Sequence, residues 1–311
     1  NIAFSNTDEQ ILVNSNVVEE VISIYTEDFT INHTYDYSFL DHIDSDFSYK
    51  TGLVSFLNED SIIARPSSTI YLWDNSKGQL LKQINLGINI STYLDKFSKS
   101  KRYIFCICEF YENPKKLLTL TDLLCDEDGF LIYDKNQDFK DAAFSNDEKH
   151  LIIWNNWQTF FFSINDRTFK FHFYTPEIQT CCFSKDDSYI ALQFRDSIEI
   201  YTFEFPLKKS ATLYNIGVSV SHVEFLSNSL LCIVTTDGKI QIYNCKDKGY
   251  VVESLVHPKA VTEIVFNPDN NQLVTNCRDG IIRLWNMKTG VLQHSLLHNS
   301  EIIQFDIDNK T

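Results

Sequence analysis

A repeated pattern constrains this chain more than any other feature of its sequence. Each copy has an apolar stretch that ends at a Phe, a polar turn rich in Asn, Asp, Ser and Lys, and a second apolar stretch. A clear copy is TEIVFNPDNNQLV at 262–274, and CCFSKDDSYIAL at 181–192 follows the same plan. The aligned residues are Phe4, Phe56, Phe97, Phe144, Phe183, Phe225 and Phe266, with Ile307 continuing the series. Their spacing of 39 to 52 residues indicates one structural unit repeated along the chain.

The rest of each unit has the pattern of two more strands. The third-strand candidates are alternating or fully apolar and rich in Ile, Phe and Tyr, which is typical of strands. They are TIYLWD at 69–74, QTFFFSI at 158–164, SIEIYTF at 197–203, KIQIYN at 239–244 and IIRLWN at 281–286. A fourth apolar stretch follows each one, and no convincing amphipathic helix interrupts the series. Four strands in a period of roughly 40–45 residues are typical of a propeller blade.

The sequence therefore predicts an all-β fold, a β-propeller with seven four-stranded blades as the favoured count and eight as the alternative. Two units fit poorly. An acidic segment at 36–50 expands the first, and the strands of the third cannot be placed within 109–135. We expect residues 1–298 to form the propeller and residues 299–311 to begin a further strand or the following segment of a longer chain.

The carboxyl-terminal segment HNSEIIQFDIDN at 298–309 has the pattern of one more first strand. His298 stands four residues before Ile302, as His257 stands before Val261. We predict a strand over 302–307 with Ile302 and Phe305 buried. This strand would belong to an eighth blade whose other strands come from sequence beyond residues 1–311, or it would begin a further domain. Alternatively, the third unit is not a blade and the number of blades is lower.

The seventh unit, LVHPKAVTEIVFNPDNNQLVTNCRDGIIRLWNMKTG at 255–290, resembles the WD40-repeat family. In that family a His before the first strand, a hydroxyl in the second, an Asp in the next turn and a Trp in the third strand are hydrogen-bonded within one blade. The resemblance places this set on His257, Cys277, Asp279 and Trp285, with a thiol in the hydroxyl position. It implies that Asp279 accepts a hydrogen bond from His257 and that the set holds the blade together.

Other units carry parts of the same set. The sixth has Thr235 and Asp237 but Tyr243 in the Trp position, and the second has Trp73 and Asp74 without the turn Asp. The resemblance implies a structural role for all of these residues. It also implies a rigid, non-enzymatic scaffold inside a large multi-subunit assembly, either a trafficking or transport complex or a nuclear one.

Charge and composition narrow the classes of partner. The net charge of −15 opposes direct binding to nucleic acid, and no apolar run is long enough for a transmembrane helix. The eight cysteines form no CxxC pair, which favours small buried side chains in a reducing compartment, cytoplasmic or nuclear. We expect other protein subunits as partners, no cofactor and no metal.

Two further functional readings arise from charged residues. Arg65, Arg195 and Arg278 lie in or beside the turns between second and third strands, and Lys239 follows such a turn. They predict one face that binds an acidic or phosphorylated peptide. A propeller enzyme would instead need ionisable groups on the first strands, where Glu224 and Glu263 are exceptions among mainly apolar residues.

Overall fold

The computed structural model describes residues 2–4, 10–15, 21–26, 31–36, 53–58, 61–65, 69–74, 77, 79–85, 90–110, 116–124, 130–133, 139–214 and 219–297. Within these ranges the chain forms 28 strands and no helix. The strands make seven four-stranded antiparallel sheets, each built from strands that are consecutive in the chain. The all-β prediction is confirmed. The number of blades stays a prediction, because the proposed strand at 302–307 lies outside the described residues.

The chain divides into two compact units, of which Asn1–Phe139 is the first. Its described residues form three sheets. The first contains β1 (Ile2–Phe4), β2 (Gln10–Ser15), β3 (Val21–Thr26) and β4 (Ile31–Asp36). The second contains β5 (Leu53–Asn58), β6 (Ser61–Arg65), β7 (Thr69–Asp74) and β8 (Gln79–Asn85). The third contains β9 (Ile90–Phe97), β10 (Tyr103–Phe110), β11 (Lys116–Asp122) and β12 (Phe130–Tyr133), which supplies the strand limits that sequence could not.

The second unit is Lys140–Thr311, and its described residues form four sheets. The fourth sheet contains β13 (Asp141–Phe144), β14 (His150–Trp154), β15 (Gln158–Ser163) and β16 (Thr168–Tyr174). The fifth contains β17 (Thr180–Phe183), β18 (Tyr189–Gln193), β19 (Ser197–Thr202) and β20 (Lys208–Tyr214). The sixth contains β21 (Val220–Phe225), β22 (Leu230–Thr235), β23 (Lys239–Asn244) and β24 (Gly249–Val256). The seventh contains β25 (Val261–Asn267), β26 (Gln272–Cys277), β27 (Ile281–Asn286) and β28 (Val291–Leu297).

The aligned phenylalanines of the repeat lie in the first strands of the seven sheets. Phe144 and Phe183 are the last residues of β13 and β17, and Phe266 lies in β25. In each sheet the first strand pairs with the second, which is the next strand in the chain, as the repeat predicted. The fourth apolar stretches of the fourth and seventh units are the outer strands TFKFHFY and VLQHSLL.

The core of the second unit lies between the faces of successive sheets. Ile152 and Phe161 of the fourth sheet pack with Leu192 of the fifth, and Val234 of the sixth packs with Trp285 of the seventh. Burial falls toward the outer strand: β14 is almost wholly buried, whereas β16 alternates between half-buried and exposed. Each fully buried aliphatic side chain adds roughly 1.5–3 kcal/mol, so the middle strands carry most of the packing energy.

Two sets of polar contacts join corresponding strand ends of neighbouring sheets. The strands of the fourth, fifth and sixth sheets therefore run in the same sense. The carboxylate of Asp187 accepts hydrogen bonds from the backbone N–H groups of Asn146 (2.8 Å) and Asp147 (2.7 Å), joining two turns between first and second strands. At the other end, the Gln193 side-chain amide donates to the carbonyl of Val220 (3.3 Å). We call this second end of the second unit the linker end, because the connections from one sheet to the next run there.

Candidate functional site

The seventh sheet contains a buried chain of hydrogen bonds that runs from Trp285 through Thr275 to His257. The indole N–H of Trp285 donates to Thr275 Oγ1 (3.0 Å), and Thr275 Oγ1 lies 2.8 Å from His257 Nε2. His257 Nδ1 lies 3.0 Å from the carbonyl oxygen of Gly238, so Nδ1 carries the proton and Nε2 accepts from the hydroxyl. Burial lowers the pKa of His257, which keeps the imidazole neutral as this pattern requires.

The resemblance placed the hydroxyl position at Cys277, and the structure corrects this to Thr275. Strand register gives the reason. Cys277 pairs with Ile281, whereas Thr275 is diagonal to Trp285 and within reach of its indole. The Cys277 thiol instead donates to the Lys259 carbonyl (3.1 Å). Counting back two residues from Cys277, to the same face of β26, would have found the hydroxyl in the sequence.

Asp279 does not accept a hydrogen bond from His257, which corrects a second expectation. Its carboxylate is held by the Arg283 guanidinium, with Nη1 3.2 Å from Oδ1 and Nη2 2.5 Å from Oδ2. Both side chains are nearly buried, at 12% and 10% exposed. A guanidinium is a stronger partner for a carboxylate than a neutral imidazole, and it lowers the pKa of Asp279 to about 2. Arg283 stands four residues after Asp279, but its burial, which makes it the partner, is known only from the structure.

The sixth sheet uses its corresponding residues to close a turn. Thr235 Oγ1 donates to Asp237 Oδ1 (2.5 Å) and accepts from the backbone N–H of Lys239 (3.2 Å). Lys239 Nζ lies 3.3 Å from Asp237. Gly238 in this turn has φ +87°, and an added Cβ would lie 2.5 Å from the Lys259 carbonyl oxygen, so the tight approach requires glycine.

Trp73 and Asp74 in the second sheet have separate roles. Trp73 is buried, with 6% of its surface exposed, which agrees with a residue that fills the interior of a blade. The Asp74 carboxylate accepts from the backbone N–H of Lys77 (3.0 Å) and so caps the turn after β7. Asn286, at the same place after β27, accepts from the backbone N–H groups of Lys288 (2.9 Å) and Thr289 (3.2 Å). The residue after the Trp is therefore a turn cap in both sheets.

We expect Thr275→Val to lower the free energy of unfolding by about 1–3 kcal/mol, because it leaves buried polar groups of His257 and Trp285 unpaired. Urea denaturation followed by far-ultraviolet circular dichroism measures this loss. Cys277→Ser is the matched control, since a hydroxyl there can still donate to the Lys259 carbonyl. If Cys277→Ser were the more damaging change, the assignment of the hydroxyl to Thr275 would be wrong.

The linker end carries three of the four cations that the sequence singled out. Arg195 lies in the turn between β18 and β19, and Arg278 in the turn between β26 and β27. Both are exposed, as is Lys259 in the connection to β25. Among the described residues, no hydrogen bond or ion pair engages these three side chains, whereas Lys239 is paired with Asp237. Arg65 ends β6 in the first unit, and its side chain lies outside what the structure describes.

Two ionisable side chains lie close together on β21, the first strand of the sixth sheet. His222 Nε2 lies 3.4 Å from Glu224 Oε2 on β21, and this contact raises the pKa of His222. Glu263 is half-buried on β25. Within the described ranges, no three His, Cys, Asp or Glu side chains are grouped so that they could hold a metal ion. In those ranges no helix is long and apolar enough to cross a membrane.

Comparison with known proteins gives matches over parts of the chain. A family model described as "WD domain, G-beta repeat" matches residues 249–286. Mouse p21-activated protein kinase-interacting protein 1 is 34% identical over 80 residues, 25% of this chain and 21% of that protein. An uncharacterized WD repeat-containing protein of Acanthamoeba polyphaga mimivirus is 29% identical over 121 residues, 37% of this chain and 23% of that protein. The chain thus spans less than a quarter of either relative.

Solved structures match almost the whole chain at low sequence identity. The Dos1 propeller has a TM-score of 0.63 at 13% identity and covers 92% of this chain and 77% of its own. The Swd1 β-propeller domain of Myceliophteria thermophila has a TM-score of 0.55 at 12% identity and covers 92% and 96%. Identity this low establishes the fold and nothing finer. Residues 249–286 are therefore similar to a WD40 repeat, and the solved structures show that the chain has a β-propeller fold.

Proposed function

We propose that this chain is a non-enzymatic protein-interaction scaffold, a subunit of a larger multi-subunit assembly of the trafficking, transport or nuclear kind. One observation carries the proposal: the linker end exposes Arg195, Lys259 and Arg278 with no acidic partner among the described residues. The carboxylates of Asp237 and Asp279 at this end are bound by Lys239 and Arg283, whereas exposed Asp196 lies beside Arg195 in its turn. This end can therefore hold an acidic partner although the chain as a whole is acidic.

The polar groups of the seventh sheet support a scaffold rather than an enzyme. His257 and Asp279 are both engaged within the sheet, the first by Thr275 and Gly238 and the second by Arg283. Groups held in this way stabilise a blade and are not poised to transfer a proton to a substrate. One relative, p21-activated protein kinase-interacting protein 1, is named for binding another protein, which agrees with the same class of role.

A second candidate function is recognition of an acidic or phosphorylated peptide. Arg195 and Arg278 favour it, because an arginine guanidinium binds carboxylate or phosphate oxygens with two parallel hydrogen bonds. Lys259 lies between their turns in the chain and adds a third cation. Arg65, which ends β6 in the first unit, stays a prediction from the sequence.

The test is a charge reversal. The full-length protein is purified from its native cells as wild type and as Arg195→Glu/Arg278→Glu, and the bound subunits are quantified. We expect the double variant to lose a stoichiometric partner and to keep its melting temperature, since both side chains are exposed.

The matched control is Lys246→Glu/Lys288→Glu. These exposed lysines lie in turns between third and fourth strands, at the opposite end of the sixth and seventh sheets, and change the charge by the same amount. Loss of the same partner from this control, with retention by the arginine variant, would place the binding surface at the opposite end and refute the proposal.

A further inference from the structure

An exposed apolar residue ends every outer strand of the four sheets described in the second unit. These residues are Tyr174, Tyr214, Val256 and Leu297, exposed by 80%, 74%, 61% and 69%. We call these four residues the outer rim. Each pairs with the first residue of the neighbouring third strand, so all four occupy one register position in successive sheets. That position lies at the linker end.

The repetition separates the outer rim from ordinary surface residues. Single exposed apolar side chains are common and need no explanation. Here, however, four successive outer strands end in one at the same register position, whereas the opposite ends of these strands begin with Thr168, Lys208, Gly249 and Val291, of which only Val291 is an exposed apolar residue. The unbroken series of four is thus found at the end where the free cations lie.

Cations accompany the outer rim in three of the four sheets. Tyr214 pairs with the residue that follows the Arg195 turn, and Val256 pairs with Lys239 itself. Leu297 pairs with the residue that follows the Arg278 turn. Of these cations, Lys239 is held by Asp237, whereas Arg195 and Arg278 are available to a partner.

The fourth sheet replaces the cation with a second aromatic residue. Trp157 lies in the corresponding turn and is 72% exposed. Its carbonyl accepts a hydrogen bond from the backbone N–H of Thr175 (3.0 Å), the residue after Tyr174. Exposed Trp and Tyr are the residue types that most often anchor protein interfaces.

We infer that the linker end of the second unit binds an extended acidic segment of a partner protein, whose large apolar side chains rest on the outer rim. The inference builds on the proposed function and adds the chemistry of the partner. Carboxylates of the segment pair with Arg195 and Arg278, and its apolar side chains cover Tyr174 and Tyr214. Val256 and Leu297 offer no face for base stacking, and the net charge of −15 repels a polyanion, so the chemistry favours a protein over a nucleic acid.

The experiment selects a random peptide library, displayed on phage, against the full chain. We expect the enriched peptides to combine Asp or Glu with Leu, Phe or Tyr. Tyr174→Ser/Tyr214→Ser is expected to weaken the best enriched peptide by about tenfold or more, the effect of losing two interface anchors. The control Leu81→Ser/Val291→Ser removes exposed apolar side chains outside the outer rim and should bind like wild type.

The outcomes separate this inference from the proposed function. If Arg195→Glu/Arg278→Glu abolishes peptide binding while Tyr174→Ser/Tyr214→Ser has no effect, the charged surface stands and the role of the outer rim is wrong. If neither variant changes peptide binding, the linker end is not the surface and both are wrong. If no peptide is enriched, the inference is wrong, and co-purification with Arg195→Glu/Arg278→Glu decides the proposed function separately. Binding of a random single-stranded RNA pool that depends on Tyr174 and Tyr214, without peptide enrichment, would also overturn the inference.

Discussion

Trp285→Ala is expected to lower the free energy of unfolding by about 3–5 kcal/mol, the usual loss when a large buried aromatic side chain is removed. Trp285 is 7% exposed and packs against the sixth sheet with Leu273 and Met287. The substitution empties that space and also removes the hydrogen bond to Thr275. Urea denaturation monitored by far-ultraviolet circular dichroism gives the difference.

The chain offers a matched control in Trp157→Ala. Trp157 is 72% exposed, so its loss is expected to change stability by no more than about 0.5 kcal/mol. Equal losses for the two variants would mean that Trp285 does not hold the sixth and seventh sheets together. A Trp285→Ala protein that does not fold at all also agrees with the prediction, provided that Trp157→Ala folds normally in the same assay.

Asp279→Ala is expected to cost about 3–5 kcal/mol, because it leaves the nearly buried charge of Arg283 without its partner. The pair predicts a pH signature as well. The folded pKa of Asp279, about 2, lies below the ordinary value of 3.8, so its contribution is full above pH 3.8 and is lost as pH falls toward 2. The same urea assay, repeated across that interval, should show a shallower loss for Asp279→Ala than for wild type.

The double variant Asp279→Ala/Arg283→Met separates the ion pair from the turn that Asp279 also supports. Removing both charges should recover much of the loss, since an apolar pair in this place has no unpaired charge. Some loss will remain, because Asp279 also accepts a hydrogen bond from the backbone N–H of Ile281 (3.0 Å). A double variant no more stable than Asp279→Ala would contradict the view that an orphaned Arg283 is the main cause.

The repeated pattern was enough to predict strand order because each strand of a blade has its own local signal. Phe144 and Phe183 mark the ends of first strands, and the turns after them supply Asn, Asp and Ser that bond to nearby backbone. The third unit could not be divided, because its strands lie among insertions that hide the period. Blade number depends on residues 299–311, which have the pattern of a first strand but lie outside the described residues.

The polar set was harder to predict, since hydrogen bonds depend on register and not on residue type alone. Cys277 was chosen over Thr275 because of the residue spacing in the family. The two side chains lie on the same face of β26, but they are two residues apart and therefore have different partners on β27. The pairing of Asp279 with Arg283 required knowing that position 283 faces inward. The outer rim was not found from the sequence. Its four residues share a register position in the fold, but they are not of one residue type, so no sequence motif marks them.

Chemical cross-linking of the full-length protein with its native partners tests the central claim most directly, because lysines stand at both ends of the second unit. Lys239 and Lys259 lie at the linker end, whereas Lys246, Lys248 and Lys288 lie in turns at the opposite end. All five are exposed. If the linker end is the binding surface, partner cross-links will map to Lys239 and Lys259. Cross-links confined to Lys246, Lys248 and Lys288 would contradict the account.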